Sequence, residues 1–420
     1  MASVKPFCGL RPAKDSAERV VSLPYDVMDT KEARQMIAAN KDSFLRVTRA
    51  EAELDAGIDP HAPEVYAKAA SNMKEFIATG LLVPDAQPCF YVYKQQMDNH
   101  KQVGLVVAAS VEEYKNNIIK KHELTRPDKE QDRVNHILAT EAQTGAIFLT
   151  YRASETVNAL MAQAMAQTPA HEFTTEDGIV HTLYVVSEPE RIRAIEEAFG
   201  RIETLYIADG HHRAAAAARV YDKCRSENPN HTGEEPYNRF LAVLFPHNMM
   251  KILDYNRVVK DLNGLSQTAF LEQVQEKFEI HPCSRKDCRA EYPHYFGMYL
   301  DKAWYKLVAK ADSYDEANPL QRLDVSILQE NLLKPILGIE NPRTDKRIGF
   351  VGGIRGIKEL ERLVDQGEYQ VAFSLYPTSI KALMEISDAN LIMPPKSTWF
   401  EPKLRDAMVV HMTPCRFTDQ

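Results

Sequence analysis

One run of five residues has the types and order suited to holding a phosphate group. The run consists of Asp209, Gly210, His211, His212 and Arg213. Residues 204–208 before it have the pattern of a buried strand, and residues 214–224 after it are strongly helical, which predicts a strand-to-helix turn. The first N–H groups of a helix attract anions, and histidine and arginine add donors for phosphate oxygens. We therefore predict a phosphate cradle here, with Asp209 capping the helix.

A second charged segment, residues 118–137, could supply a base and further cations. Its charged and polar candidates are Lys120, Lys121, His122, Glu123, Arg126, Asp128, Lys129, Glu130, Asp132 and Arg133. Phosphoryl transfer needs a carboxylate to take a hydroxyl proton and cations to neutralise the phosphate. A run of mixed charge is also typical of a solvated surface, so both interpretations stay open.

Other constellations give weaker indications. His211 and His212 lack the i, i+4 spacing of a metal site, and the spacing of His281, Cys283, Cys288 and His294 matches no common structural zinc site. We therefore assign no metal ligands. The sequence lacks the GxGxxG, GxxxxGK[ST] and GxSxG patterns, so Rossmann, P-loop and nucleophile-elbow sites are not supported.

Two further segments contain residues that could line a pocket. The tail, residues 393–411, is expected either to line the site or to pack back onto the core. Its candidate residues are Lys396, Ser397, Thr398, Trp399, Lys403 and Arg405. Tyr25 and Asp26 in the PYDV segment are expected to be structural.

Composition limits the classes of function. The 420 residues include 51 Lys and Arg against 59 Asp and Glu, a net charge of −8, which disfavours a nucleic-acid-binding surface. The longest apolar runs are far shorter than a membrane helix requires, so no membrane association is expected. The six cysteines are mostly isolated in sequence and indicate reduced thiols in a cytoplasmic protein.

The elements that would position these residues alternate between helices and hairpins, which predicts an α+β fold. A capping box at Asp29 begins one helix, a second ends at Gly80, and residues 43–47 (SFLRV) indicate a short buried strand. Hairpins are predicted at residues 89–111, 171–187 and 295–309. Further helices are predicted near residues 132–141, 190–199, 267–278, 325–333, 357–365 and 379–386.

Several motifs resemble a known family, the domain of unknown function 1015. They are PYDV, SFLRV, IIKKHELTRPDKEQDR, TGAIFLTYR, IADGHHR, LDYNRVV and MPPKSTWFEPKLRDAMVVH, and they extend over nearly the whole chain. This resemblance implies no particular activity.

The IADGHHR motif is also similar to the signature of the ParB/sulfiredoxin superfamily, and within it to the free serine kinase branch. That resemblance implies a ParB/sulfiredoxin-like mixed sheet, with Glu123 as catalytic base and residues 209–213 as the nucleotide-phosphate cradle. It further implies ADP or ATP with Mg²⁺ as cofactors, with Asp209 oriented towards the metal. The acceptor would be a small hydroxyl compound resembling free serine, which would place the protein in serine metabolism.

We predict three regions: residues 1–117, an N-terminal αβ region; residues 118–246, the core with the DGHHR turn; and residues 247–420, a C-terminal αβ region packed on the core. A homodimer is also expected. Two alternatives to the kinase stay open, a non-catalytic protein that binds a nucleotide or phosphorylated metabolite, and a phosphatase of a similar small substrate.

Overall fold

The computed structural model describes residues 1–285 and 287–415. The chain divides into two compact units, the first formed by Met1–Met250 with the segment from Pro402 onward, and the second by Lys251–Glu401. Strands from residues 1–117 and from residues 118–246 belong to one sheet of the first unit. The three-region division otherwise stays a prediction.

The first unit combines short and long helices with many strands. Helices α1–α9 span Ala17–Val20, Thr30–Ala39, Leu45–Thr48, Pro63–Ala78, Val111–Lys115, Pro127–Thr140, Glu155–Met165, Pro189–Phe199 and His211–Glu227. Strands β1–β12 span Val4–Lys5, Leu10–Pro12, Leu82–Pro84, Phe90–Met97, His100–Ser110, Ile119–Lys120, Ala142–Gln143, Ile147–Tyr151, His171–Thr174, Val180–Val186, Leu205–Asp209 and Arg239–Pro246.

The main sheet of this unit is mixed, in the order β6-β11-β8-β12-β5-β4-β10-β9, with β1 beside β5. β11 is parallel to β6, and β12 is parallel to β8, whereas the remaining neighbours are antiparallel. The predicted hairpins β4–β5 and β9–β10 are both present, the latter with Gly178 at positive φ in its turn. The predicted α+β class with a large mixed sheet is confirmed.

The sheet brings the two charged segments together. β11 ends at Asp209, directly before α9, and β6, beside it, leads into residues 121–126. Five successive alanines, residues 214–218, lie in the first turns of α9 and are buried. Because alanine is small, the helix packs closely on the core. Its N-terminus lies at the C-terminal end of β11.

One predicted strand is wrong. Residues 43–47 do not form a strand, because Leu45–Thr48 is a short helix, α3. Phe44, Leu45 and Val47 are all fully buried. A short run that is apolar throughout cannot be distinguished as strand or helix from periodicity alone. The predicted capping box at Asp29 is confirmed, with its carboxylate accepting from the Glu32 N–H.

The second unit contains strands β13–β20, at Lys251–Leu253, Tyr255–Val259, Phe278–Cys283, Tyr295–Leu300, Ala303–Ala309, Ile348–Gly352, Val371–Ser374 and Trp399–Glu401. Its helices α10–α13 span Gln267–Lys277, Asp324–Leu328, Ile357–Asp365 and Ile380–Asp388. Six of these strands form a sheet in the order β15-β17-β16-β19-β14-β18. The predicted β16–β17 hairpin is confirmed, with Asp301 and Lys302 at positive φ. A π-helix, Gln329–Leu333, follows α11 directly.

The segment after Pro402 belongs to the first unit. Its strand β21, His411–Met412, pairs with β7. The carbonyl of Lys403 accepts a hydrogen bond from the Gln95 side chain, and Arg405 is buried against Asp177. The tail is therefore anchored on the sheet before and after the residues that it presents to the site.

The cysteines differ from the expectation of reduced thiols. Cys224 at the end of α9 is paired with Cys415, and Cys283 is paired with Cys288, with Cα–Cα distances of 5.4 and 5.9 Å. Cys8 and Cys89 are free. The cytoplasmic location stays a prediction. Among the described residues, none of the helices has the length and apolarity needed to cross a bilayer.

Candidate functional site

The DGHHR turn has a left-handed residue at its centre. Gly210 has φ +93°, which an L side chain rarely adopts, and it precedes the first residue of α9, His211. No side chain caps this helix. The predicted cap is therefore wrong, because Asp209 Oδ1 accepts from the adjacent Gly210 N–H, 2.9 Å away, and not from the helix. The N-cap position itself is Gly210, which has no side chain that could cap the helix.

Asp209 forms an ion pair that the sequence did not specify. Its Oδ2 lies 2.9 Å from Nζ of Lys403, which comes from the C-terminal tail. Burial would raise the pKa of Asp209, but Lys403 and Arg213 together outweigh it and hold that pKa well below its usual range. The Asp209 side chain is 45 % exposed, so this ion pair borders an accessible surface.

His211 packs edge to face against His122, with ring centroids 4.4 Å apart. The main-chain N–H of His122 donates to Nε2 of His211 over 3.5 Å. Burial lowers the pKa of His122 to about 4 and that of His211 well below its usual value, so both rings are neutral at pH 7. With Nε2 accepting, the proton of neutral His211 is assigned to Nδ1.

The predicted base lies beside this proton. Oε2 of Glu123 is 3.8 Å from Nδ1 of His211, and the Glu123 side chain is about one-third exposed. His211 is almost fully buried. The carboxylate therefore lies at the boundary between a buried histidine and solvent, on the same turn as the predicted cradle.

His212 binds the other end of the same loop. Its Nε2 accepts the Arg126 N–H over 3.1 Å. The Arg126 guanidinium is exposed and pairs with Asp128 at 2.8 Å, so its main chain and not its side chain faces the turn. These contacts fix residues 121–126 on the start of α9. The phosphate-binding roles of His122, His212 and Arg126 stay predictions.

Arg213 lies in a second cluster next to the turn. Its Nη1 donates to the Ala146 carbonyl at 2.9 Å, and its Nη2 lies 3.6 Å from Oδ1 of Asp26. Burial alone would lower the pKa of Arg213, but Asp26 and Asp406 raise it. Burial raises the pKa of Asp406 to about 7, and the Arg213 guanidinium opposes that rise.

Tyr25 lies between two arginines of this cluster. The Arg133 guanidinium stacks 3.9 Å from its ring centroid, and that of Arg213 is 5.5 Å away. Arg133 also forms a two-point contact with Asp132, at 2.9 and 2.7 Å. A cavity of about 30 Å³ is lined by Tyr25, Arg133 and Arg213. Its size suits one or two water molecules.

The structure thus brings most of the predicted residues to one place. Glu123 and Asp209 flank the turn at residues 210–212, and Arg213 and Arg133 lie in the adjoining Tyr25 cluster. Sequence reasoning did not identify Tyr25 and Asp406 as site residues, and it left Lys403 undecided. The only indication in the sequence was that PYDV and the tail recur among the family motifs.

The described residues offer little to a resident metal ion. Among them, no group of three or more His, Cys, Asp or Glu side chains is arranged to hold one. Both oxygens of the Asp209 carboxylate already have partners in Gly210 and Lys403. The predicted orientation of Asp209 towards a Mg²⁺ ion stays a prediction.

Comparison with known proteins identifies one family. The family model described as "Protein of unknown function (DUF1015)" matches residues 4–326. A search of curated proteins gives no match.

Several solved structures are similar at low scores. One is a free serine kinase in complex with AMP, at 11% identity and a TM-score of 0.37, covering 73% of this chain and 92% of that chain. A conserved hypothetical protein from Pyrococcus furiosus has 13% identity and a TM-score of 0.35, covering 72% and 93%. SbnI with a C-terminal truncation, from Staphylococcus aureus, has 12% identity and a TM-score of 0.38, covering 72% and 85%. Such scores carry no functional argument, so only this chain's own residues support an inference about its function.

Proposed function

We propose that this chain, which belongs to the DUF1015 family, is a nucleotide-dependent phosphotransferase that acts on a small hydroxyl compound such as free serine. One observation carries the proposal. The Glu123 carboxylate lies 3.8 Å from Nδ1 of His211, at the N-terminus of α9. A protein that only binds a phosphate needs the turn alone, whereas a kinase also needs a carboxylate within reach of the acceptor hydroxyl.

The cradle would hold the phosphates of ADP or ATP. The N-terminus of α9, with Gly210 in the left-handed region at its N-cap, would allow a phosphate close to the backbone. Lys403, which pairs with Asp209, and Arg213, in the adjoining cluster, would supply cations. Phosphoryl transfer depends mostly on such positioning and charge neutralisation, so a site of this kind does not require a P-loop.

Glu123 would act as the base. The acceptor hydroxyl oxygen bonds to the terminal phosphorus, the bond from that phosphorus to the nucleotide oxygen breaks, and the hydroxyl proton passes to Glu123. Neutral His211, with its proton on Nδ1, faces the carboxylate and would orient it. Because His211 is buried and its Nε2 accepts the His122 N–H, the ring is held in that orientation.

The remaining features are proposals of the same kind. We assign the first unit a ParB/sulfiredoxin-like core and place the protein in the cytoplasm, in serine metabolism, as a homodimer. Its expected partners are a small-molecule substrate and a nucleotide. We propose no binding to nucleic acid or to a membrane. His122, His212, Arg126 and Arg133 would support the phosphate site, directly or through the loop.

The test is to detect the product. The protein is incubated with ADP or ATP, Mg²⁺ and serine or threonine, and phosphoamino acid is sought by mass spectrometry. Nucleotide binding is measured in parallel by calorimetry. Phosphoamino acid formation supports the kinase. Nucleotide binding without product from any hydroxyl acceptor supports a binding protein, and release of phosphate from added phosphoserine supports a phosphatase.

A further inference from the structure

The second unit contains a cavity far larger than the one beside Arg213. Its volume is about 550 Å³, within the range of small-molecule sites. It lies beside the π-helix Gln329–Leu333, and π-helical turns occur frequently at functional sites. The cavity belongs entirely to residues 313–395, so it is distinct from the site on α9.

The walls of this cavity are amphipathic. Apolar side chains form one part of the wall, namely Leu320, Ile327, Ile392, Met393 and Pro394. Ser313 and Ser326 also line it, and the hydroxyls of both are buried without a hydrogen-bond partner among the described residues. Buried polar groups normally have a hydrogen-bond partner. Two buried hydroxyls without one in a cavity wall therefore indicate that a bound molecule supplies the partner.

One cation of the wall is available to bind an anion. Arg343 lines the cavity, is half-buried, and its guanidinium has no ion pair within the described ranges of the chain. Glu330 and Glu340 also line it, but both are exposed and share Lys334 at 3.9 Å. Arg343 is therefore the cation that is left for a ligand.

A second arginine strengthens this argument. Arg257 is 3 % exposed, and it donates to backbone carbonyls, including that of Pro395 in the cavity wall, 3.2 Å away. It has no carboxylate partner in the described part of the second unit. A buried cation is costly unless an anion compensates it, so the Pro394–Pro395 wall lies in a positive field.

We propose that this cavity is a second binding site, which takes a small organic anion, a carboxylate or phosphate carried on an apolar body. The anion would pair with Arg343, and the apolar body would lie against Leu320, Ile327 and Met393. This inference does not depend on the proposed phosphotransferase activity of the site on α9.

Isothermal titration calorimetry with three matched probes tests the proposal: 4-phenylbutyrate, 4-phenylbutyl phosphate and the uncharged 4-phenylbutanol. We expect at least one anion to bind about tenfold or more tightly than the alcohol, since a charge-assisted hydrogen bond is involved. Comparison of the two anions distinguishes carboxylate from phosphate recognition.

Variants locate the binding. Arg343→Gln should reduce the affinity for the anions to that for the alcohol, whereas Arg355→Gln, at an exposed arginine of the same unit, should change nothing. Leu320→Trp should fill the cavity and abolish binding of all three probes. Circular dichroism checks that each variant is folded. If Leu320→Trp does not fold, the comparison of Arg343→Gln with the unchanged protein still tests the proposal. The proposal is overturned if none of the probes binds, or if Arg343→Gln binds the anions as tightly as the unchanged protein.

Discussion

At the scale of single residues, the site depends on charges that come from distant parts of the chain. Lys403 is separated from its partner Asp209 by 194 positions. Its ammonium pairs with Asp209, directly before the turn where a phosphate is proposed to bind. The pairing keeps Asp209 ionised, so the two side chains together present a fixed charge pattern to a nucleotide.

Replacing Lys403 tests this arrangement. Lys403→Met keeps the length of the side chain and removes its charge, and we expect ADP to bind about ten- to a hundredfold more weakly, as expected for a charge-assisted hydrogen bond of about 1.5–3 kcal/mol. Calorimetry gives the dissociation constant. Lys101→Met, at an exposed lysine in the β4–β5 hairpin, is the matched control. Equal ADP affinity in Lys403→Met and the unchanged protein would remove Lys403 from the cradle.

At the scale of elements, the strand-to-helix turn depends on Gly210. Ala at this position would keep the space available, because the nearest heavy atom to an added Cβ is 3.5 Å away. The cost comes instead from φ +93°, and it is about 1–2 kcal/mol for an L residue in the left-handed region. We expect Gly210→Ala to lower the melting temperature and to weaken ADP binding, since relaxation of the strain shifts the first N–H groups of α9.

Gly57→Ala is the matched control. An added Cβ there meets nothing within 4 Å, and its φ is outside the positive range. We expect neutral or slightly higher stability, because Ala reduces the entropy of the unfolded chain. Thermal denaturation with and without ADP measures both variants. An unchanged melting temperature in Gly210→Ala would contradict the assigned backbone conformation.

Elements were predictable where local chemistry decides the structure. The Asp29 capping box, the Asp177-Gly178 turn and the Asp301-Lys302 turn are all settled within a few residues. The SFLRV segment was not predictable, because burial on every side removes the periodicity that separates strand from helix. Asp209 was assigned as a cap from its position alone, but competition from Lys403 and the Gly210 N–H determines where its carboxylate points.

The site was predictable in its motifs and not in its assembly. Residues 209–213 were selected by residue type and Glu123 by the resemblance to the free serine kinase branch, and β6 beside β11 brings them together. Tyr25, Asp406 and Lys403 reach the site through tertiary contacts of high sequence separation, for which a single sequence contains no direct indication. The Cys224–Cys415 pair was missed for the same reason. The Cys283–Cys288 pair was also missed, although its two cysteines are close in the sequence.

At the scale of the whole molecule, the first unit buries several neutral histidines. Burial lowers the pKa of each of them, to about 3 or 4 for five and well below the usual value for His211. They are His122, His136, His171, His181, His211 and His411. Because their folded-state pKa lies below the unfolded value of 6.5, the unfolded chain binds protons that the folded chain excludes.

Stability should therefore be complete above about pH 6.5 and fall as the pH decreases. Each such histidine costs about 1.4 kcal/mol per pH unit between its two pKa values, so their sum is large compared with the stability of a domain. Asp406 and Asp324, whose pKa burial raises to about 7, act in the opposite sense over this range, but they are two groups against six histidines. We therefore expect the urea midpoint of unfolding to be lower at pH 5.5 than at pH 7.5. Equal midpoints, followed by circular dichroism, would show that these histidines are not buried as described.

The central claim is that Glu123 takes the proton of the acceptor hydroxyl. Glu123→Gln keeps the size of the side chain and removes the base, while the cradle on α9 stays in place. We expect phosphoamino acid formation to fall about 10²–10⁴-fold, with ADP binding unchanged, since that is the usual contribution of general-base catalysis. Glu197→Gln, at an exposed position on α8, should keep full activity.

The most direct measurement is the single-turnover rate of phosphoamino acid formation in Glu123→Gln relative to the unchanged protein, with nucleotide saturating. The proposed mechanism predicts a rate lower by at least about a hundredfold, with no change in the nucleotide dissociation constant. Product formation at the rate of the unchanged protein would contradict it.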